Sequence, residues 1–174
     1  ATTEIYTLSL HDALPIFHRA KVLDCKTAMD ITGNPTRRSA AQLLPALPNL
    51  DFFLPSAYEA MDLSGRDSPG KAADYFHEKG VPVVAVKMGG QGALLSAGGK
   101  QEVFPAYEGP VVDTTGAGDA FVAGFLAALS RGESLPGCVQ IGNGAGAKCV
   151  ERLGSSGTLP AYQELISFTG LHRE

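Results

Sequence analysis

The sequence predicts an α/β fold built on a parallel sheet, and three stretches carry that expectation. Val83-Val84-Ala85-Val86-Lys87 is an apolar run of the kind buried on both faces of a parallel sheet. Asp51-Phe52-Phe53-Leu54-Pro55 reads as a second strand and opens onto a helix start at Ser56-Ala57-Tyr58-Glu59-Ala60. Val111-Val112 reads as a strand end that passes through Gly116-Ala117-Gly118 into an apolar helix ending near Ser130. Strands that alternate with helical patterns are the signature of this fold class.

Composition sets the bounds. A chain of 174 residues buries one core, so one domain or part of one is expected. A hydrophobic share of 44% with 18% charged residues is ordinary for a globular chain. The net charge of −4, with no basic run longer than Arg37-Arg38, gives no electrostatic case for a nucleic-acid or membrane partner. No stretch approaches the roughly 18 consecutive apolar residues of a membrane span. No signal-peptide pattern is evident, so a cytoplasmic protein is the expectation. Cys25, Cys138 and Cys149 are widely spaced and odd in number, and read as buried small hydrophobes rather than metal ligands.

In chain order, residues 1–16 stand apart. The run Ile5 to Ile16 resembles translated sequencing-adapter sequence and reads as a non-native leader, with a genuine leader or a piece of helix as the alternative. Val22-Leu23-Asp24 reads as a short buried strand, where Asp24 either faces a site or makes a turn. Met29 to Pro35 is turn-rich. Thr36 to Leu44 has helical spacing, with Pro45 and Pro48 ending it. Ser56 and Glu59 fit a capping box. Pro69 to Lys79 is an amphipathic helix stopped by Gly80.

After the Val83–Lys87 strand comes a glycine turn, Met88-Gly89-Gly90-Gln91-Gly92. Ala93–Ser96 and Gln101–Phe104 form a hairpin around Ala97-Gly98-Gly99-Lys100. Ser134 caps a helix over Leu135–Val150 that is rich in small residues. Ala161–Phe168 is a terminal amphipathic helix.

The chemistry concentrates at Asp113-Thr114-Thr115-Gly116-Ala117-Gly118-Asp119. Small residues at a helix start let backbone N–H groups approach an anion, and the helix dipole favours negative charge there. Asp119 is a carboxylate beside such a place, where it can take a proton from a nucleophile attacking a phosphoryl group. A plain helix cap with a glycine turn is the alternative.

Asp113 through Leu126 resembles the C-terminal signature of the ribokinase-like (PfkB-type) carbohydrate kinases, and the similarity runs from about Val22 to about Leu165. The resemblance implies an α/β/α three-layer, Rossmann-like fold that is incomplete here. Residues 17–174 correspond to the C-terminal part of the kinase domain, without the lid and the N-terminal strands.

It implies Asp119 as catalytic base towards a sugar hydroxyl attacking the γ-phosphate of ATP. The backbone of Gly116, Ala117 and Gly118 forms the anion hole. Glu59 matches the Glu of the family's Asn-x-x-Glu motif and acts on Mg²⁺ through water, although Ser56 stands where the family has Asn. Gly89 and Gly92 match the glycine turn along the nucleotide, and Lys87 replaces a common Thr there. A surface lysine is the alternative for Lys87. The Leu135–Val150 helix borders the adenine near Asn143, with tight helix–helix packing as the alternative for each residue.

A monovalent-cation loop, expected to hold K⁺, carries over to Asp113, Thr115, Cys149, Arg152, Gly154 and Thr158. The partners implied are ATP and a small sugar, with a homodimer for the parent enzyme. Two readings rival the sugar kinase: a nucleoside kinase of the same fold, and a fragment without turnover.

Overall fold

The computed structural model describes residues 10–31, 43–154 and 159–171. Its elements are α1 (Leu10–Val22), β1 (Ala28–Met29), β2 (Phe52–Phe53), α2 (Ala57–Ser64), α3 (Pro69–Glu78), β3 (Val83–Lys87), β4 (Ala93–Ala97), β5 (Lys100–Phe104), α4 (Ala117–Leu129), α5 (Leu135–Cys149) and α6 (Tyr162–Thr169). The strands form one five-stranded sheet in the order β1-β2-β3-β4-β5. The chain divides into two compact units, Ala1–Val86 with Ser96–Glu102, and Lys87–Leu95 with Val103–Glu174.

In the first unit the pairing is parallel, as the apolar β3 run predicts. Ala28 and Met29 align with Phe52 and Phe53, which align in turn with Val83 and Val84. Val84, Ala85 and Val86 are fully buried. Phe53 meets Phe76 of α3 edge-on, with ring centroids 4.8 Å apart. Ala72 and Ala73 are buried on the same helix. Ser68 caps α3 by accepting from Lys71 N–H, and Gly80 follows the helix at φ 93°. The ring of His77, near the end of α3, bridges the Val81 carbonyl and the Ser96 hydroxyl, each at 2.7 Å.

Several expectations need correction here. Val22-Leu23-Asp24 is not a strand. Val22 ends α1, Leu23 N–H still donates to Arg19 and Ala20 carbonyls, and both side chains are exposed. Asp24 turns the chain at φ 55°, a conformation that Asp tolerates better than most residues. The strand comes later, at β1. A two-residue apolar run cannot tell a helix end from a strand. Leu43 is α-helical, and the α-helix gives way at Leu44 to a 3-10 helix, Leu44–Asn49, that contains Pro45 and Pro48. Pro45 fits because the first N–H groups of a helix have no intrahelical acceptor. The expected helix from Thr36 lies outside the described residues up to position 42. Cys25 is exposed rather than buried, while Cys138 and Cys149 are buried as expected.

Asp51 fastens the end of α1 and the entry to β1. Its carboxylate accepts from Thr27 N–H at 2.8 Å and Thr27 Oγ1 at 3.1 Å, and pairs with Lys21 at 2.7 Å. Burial opposes its charge, but the hydrogen bonds from Lys21 and Thr27 outweigh that and hold the carboxyl below its ordinary pKa. A depressed folded-state pKa means stability that is present above the unfolded value, about 3.9, and lost as pH falls through the folded one. Asp51→Asn is therefore expected to cost about 1–3 kcal/mol at pH 7. Urea titrations at pH 7 and pH 3 check this, and the difference from wild type should shrink at the lower pH.

In the second unit α4 and α5 meet through glycines. A methyl on Gly124 would come 2.9 Å from Ala145 Cβ, and one on Gly142 would come 2.9 Å from the Phe121 ring. Gly144 gives the same closeness to α6, where a methyl would lie 2.5 Å from Thr169 Cγ2. The small residues of α5 therefore serve helix packing. Ser134 caps α5 by accepting from Gly137 N–H. Burial first, and then the charge of Glu133, push the Cys138 thiol up to about 11. Val111 and Val112, expected as a strand end, form no strand, and both are exposed. Val112 N–H goes instead to Val150 O at 2.7 Å, a bond to a helix C-cap rather than to a ladder.

Candidate active site

The turn into α4 requires glycine. Gly116 is the N-cap at φ 81° and ψ −1°, a left-handed conformation that costs residues with a Cβ. Ala117, Gly118 and Asp119 follow as the first turn, and Asp119 is exposed. The first N–H groups of a helix lack intrahelical acceptors, which suits them to an anion. Ala117 N–H is drawn back towards Thr114 O at 3.2 Å, so its part in the expected anion hole is weakened.

Asp113 stitches this turn to the segment after α5. Its Oδ1 accepts from Thr115 N–H at 2.9 Å, and its Oδ2 accepts from Gly154 N–H at 3.0 Å. Its own N–H donates to Val150 O at 3.2 Å. Gly154 N–H, then Thr115 N–H, and then the Thr115 hydroxyl hold the Asp113 carboxyl below its ordinary value. Cys149 Sγ donates to Thr115 O at 3.6 Å. Burial raises the Cys149 thiol, and the charges of Asp113 and Asp119 add to that.

The structure thus brings Asp113, Thr115, Asp119, Cys149 and Gly154 together around the start of α4. Arg152 lies on the same segment, and Thr158 falls outside the described residues. Among the described residues no group of three or more His, Cys, Asp or Glu side chains could hold a metal ion. A cation here would rest on backbone carbonyls and Asp113, the hard oxygen donors that suit an alkali ion.

Lys87 reaches the same turn. It ends β3 and is half-buried, and its Nζ lies 3.4 Å from where a methyl on Gly118 would stand. The glycine turn after it is tightly built. Gly89 has φ 58°, Gly92 N–H donates to Gly89 O at 2.9 Å, and Met88 N–H donates to Gly92 O at 2.8 Å. A methyl on Gly92 would come 2.0 Å from Phe104 O, so the backbone of residues 104–106 lies directly against this turn.

Asn143 of α5 holds that backbone in place. Its Nδ2 donates to Phe104 O at 3.0 Å and Pro105 O at 3.1 Å, and the residue is buried. The amide nitrogen of Asn143, on the helix expected to border the adenine, is thus engaged with the protein. Asn143→Ala removes a donor from two carbonyls and is expected to cost about 1–3 kcal/mol, read as a lower urea midpoint with an unchanged m-value. The carbonyls of Phe104, Pro105 and Val150 were not visible in the sequence, because a backbone acceptor has no residue type of its own.

Glu59 belongs to the first unit. It is buried, and its Oε2 accepts from Ser56 N–H at 2.8 Å and Ser56 Oγ at 2.6 Å, which completes the capping box. Among the described residues its hydrogen bonds as an acceptor fall on Oε2. That geometry fits a second oxygen reaching a hydrated Mg²⁺, an ion that keeps several waters and takes few protein ligands.

Comparison with known proteins follows the same outline. A family model described as pfkB family carbohydrate kinase matches residues 3–161, which includes most of the N-terminal stretch that reads as foreign. The chain is 30% identical over 175 residues to a ribokinase of Haemophilus influenzae, covering 97% of this chain and 56% of that protein. Aminoimidazole riboside kinase from Salmonella enterica, solved with aminoimidazole riboside and an ATP analog, superposes with a TM-score of 0.80 at 29% identity, covering 90% of this chain and 56% of that one. A double mutant of fructokinase from Vibrio cholerae, solved with fructose, ADP and potassium ion, gives 0.79 at 25% identity, covering 89% and 54%. The chain spans about half the length of the curated relatives it matches. Its fold is the ribokinase fold, and the chain belongs to the pfkB family of carbohydrate kinases.

Proposed function

We propose that this chain carries the phosphoryl-transfer part of an ATP-dependent kinase acting on a hydroxyl of a sugar. The observation that carries the reading is Gly116, left-handed at the mouth of α4, with Asp119 in the first turn behind it. In the proposed reaction the hydroxyl oxygen forms a bond to the γ-phosphorus of ATP. The bond from that phosphorus to the bridging oxygen breaks, and its electron pair stays on ADP. The hydroxyl proton passes to the Asp119 carboxylate. Charge on the transferred group would meet the N–H groups of Gly116 and Gly118, with Ala117 N–H contributing less because it also turns to Thr114 O.

Gly89, Gly92 and Lys87 would lie along the nucleotide. Asn143 would border it by holding the Phe104–Pro105 backbone. Mg²⁺, acting through Glu59, would supply charge neutralisation on the phosphates. A K⁺ ion beside Asp113, Thr115, Cys149, Arg152, Gly154 and Thr158 would steady the anion hole. The fructokinase solved with ADP and potassium supports such a site.

The acceptor is a sugar or, as the second reading, a nucleoside. The riboside kinase among the structural neighbours favours keeping both. A third reading, binding without turnover, is favoured by the chain's covering about half of its relatives' length. No described helix is long and apolar enough to cross a membrane. A cytoplasmic location and a homodimer for the full-length enzyme are part of the same proposal.

The test is calorimetric titration of the chain with ATP·Mg²⁺, followed by a transfer assay on a panel of sugars and nucleosides. Sugar phosphorylation supports the first reading and nucleoside phosphorylation the second. Binding without transfer supports the third, and no ATP binding at all overturns the proposal.

A further inference from the structure

We infer that the open edge of β5 is a self-pairing surface, on which a second copy of this chain adds its own β5 antiparallel about a two-fold axis at Gln101. Such pairing does not depend on the reaction the chain performs. β5 ends the described sheet, with β4 on one side of it only. Lys100, Gln101, Glu102 and Val103 are all exposed. A strand edge of this kind presents a row of N–H and C=O groups to any chain that can align with it.

The hairpin decides which backbone groups face outward. Its two-residue turn, Gly98-Gly99, has both φ values positive, 57° and 76°, the geometry that joins two antiparallel strands directly. Ala97 and Lys100 therefore close the ladder, and the backbone groups alternate from there. Lys100 and Glu102 turn theirs towards β4, while Gln101 turns its N–H and C=O to the open side. A copy related by a two-fold axis at this residue exchanges both bonds with it through its own Gln101.

The side chains favour the same register. Gln101 lies against α3, where its Nε2 donates to Gly70 O at 3.1 Å and to Asp74 Oδ1 at 2.7 Å. Successive strand residues alternate faces, so Lys100 and Glu102 share the face away from α3. Among the described residues neither of these two side chains makes an ion pair or a hydrogen bond. In the two-fold pair each Lys100 stands directly opposite Glu102 of the other copy. Opposite charges across an antiparallel pair stabilise it, and like charges directly opposite destabilise it. A parallel copy in register would set lysine against lysine and glutamate against glutamate. A lysine on an edge ordinarily repels a stray strand, and the glutamate two places on makes this edge selective for its own copy. One strand pair buries less than the roughly 1,200 Å² at which standard interfaces begin, so the dimer is weak and concentration-dependent.

Sedimentation equilibrium of the chain over a range of concentrations reads this dimer. Glu102→Lys and Lys100→Glu, each alone, are expected to weaken it by roughly tenfold to a hundredfold, since each makes both cross-strand pairs repulsive. The double variant carrying both substitutions should dimerise like wild type. An equimolar mixture of the two single variants should form a heterodimer of near wild-type affinity, because every pair across the axis is then opposite in charge. That recovery also shows that both single variants are folded. A wild-type chain that stays monomeric up to about 1 mM overturns the assignment. So does a dimer that the single variants leave as tight as wild type, or a loss that neither the double variant nor the mixture recovers. Each of these results leaves the kinase reading standing, which the ATP titration tests separately.

Discussion

Asp119→Asn is expected to lower the rate of phosphoryl transfer by roughly a hundredfold to ten-thousandfold, the usual contribution of a positioned general base. ATP affinity should change little, because the exposed carboxylate in the first turn of α4 is proposed to meet the acceptor hydroxyl and not the nucleotide. Asparagine keeps the size and the first-turn position and removes only the proton acceptor. Loss of kcat without loss of ATP binding is the pattern of an interaction made in the transition state alone. Single-turnover kinetics, in the form of the protein that holds an acceptor, reads it directly. A near-normal rate would remove Asp119 from the mechanism. It would leave the helix-cap reading, in which the residue only complements the dipole.

Gly92→Ala carries the largest expected effect on stability. The residue sits at φ 89° and ψ −132°, and a methyl there would lie 2.0 Å from Phe104 O and 2.6 Å from Ala106 N. Both contacts are to backbone, which cannot swing away as the end of a side chain can. A loss of at least about 4 kcal/mol is expected, beyond the range of most single substitutions. Gly98→Ala is the matched control. It also has a positive φ, 57°, but no atom within 4 Å of the added methyl. It should cost only about 1–2 kcal/mol, the left-handed penalty alone. Urea denaturation of the two variants separates collision from conformation, and equal losses would contradict the tight fit of residues 104–106 over the turn.

These two residues also mark how far the sequence could be read. The strand at Val83–Lys87 was legible because four apolar residues and a following glycine turn leave few alternatives. Ser134 announced α5 because a hydroxyl before a helix satisfies an orphan N–H. The Ser56–Glu59 box was legible for the same reason, and its geometry is present. Gly92 was visible as a turn, but not as a contact with Phe104, twelve residues along the chain. Asn143 was read on a helix bordering a ligand, and its acceptors in the structure are two carbonyls that no side chain announces. Val22-Leu23 misled because their exposure is decided by what surrounds them, which apolarity alone does not encode. Val111-Val112 misled for a related reason: β propensity has no effect without a neighbouring strand to pair with.

The four glycines of α5 set the order in which this part of the chain can fold. Each glycine inside a helix costs about 0.5–1 kcal/mol relative to alanine, so residues 135–149 hold little helix by themselves. Their helix depends on the close seats they find on α4 and on α6. During synthesis α4 emerges first, and α6 is completed only at Thr169. The stretch that borders the α4 turn is therefore expected to gain its helix as it docks on α4, with the seat of Gly144 on α6 filled last. Docking on α4, more than the helix propensity of α5 itself, then governs when the α4 turn acquires its wall.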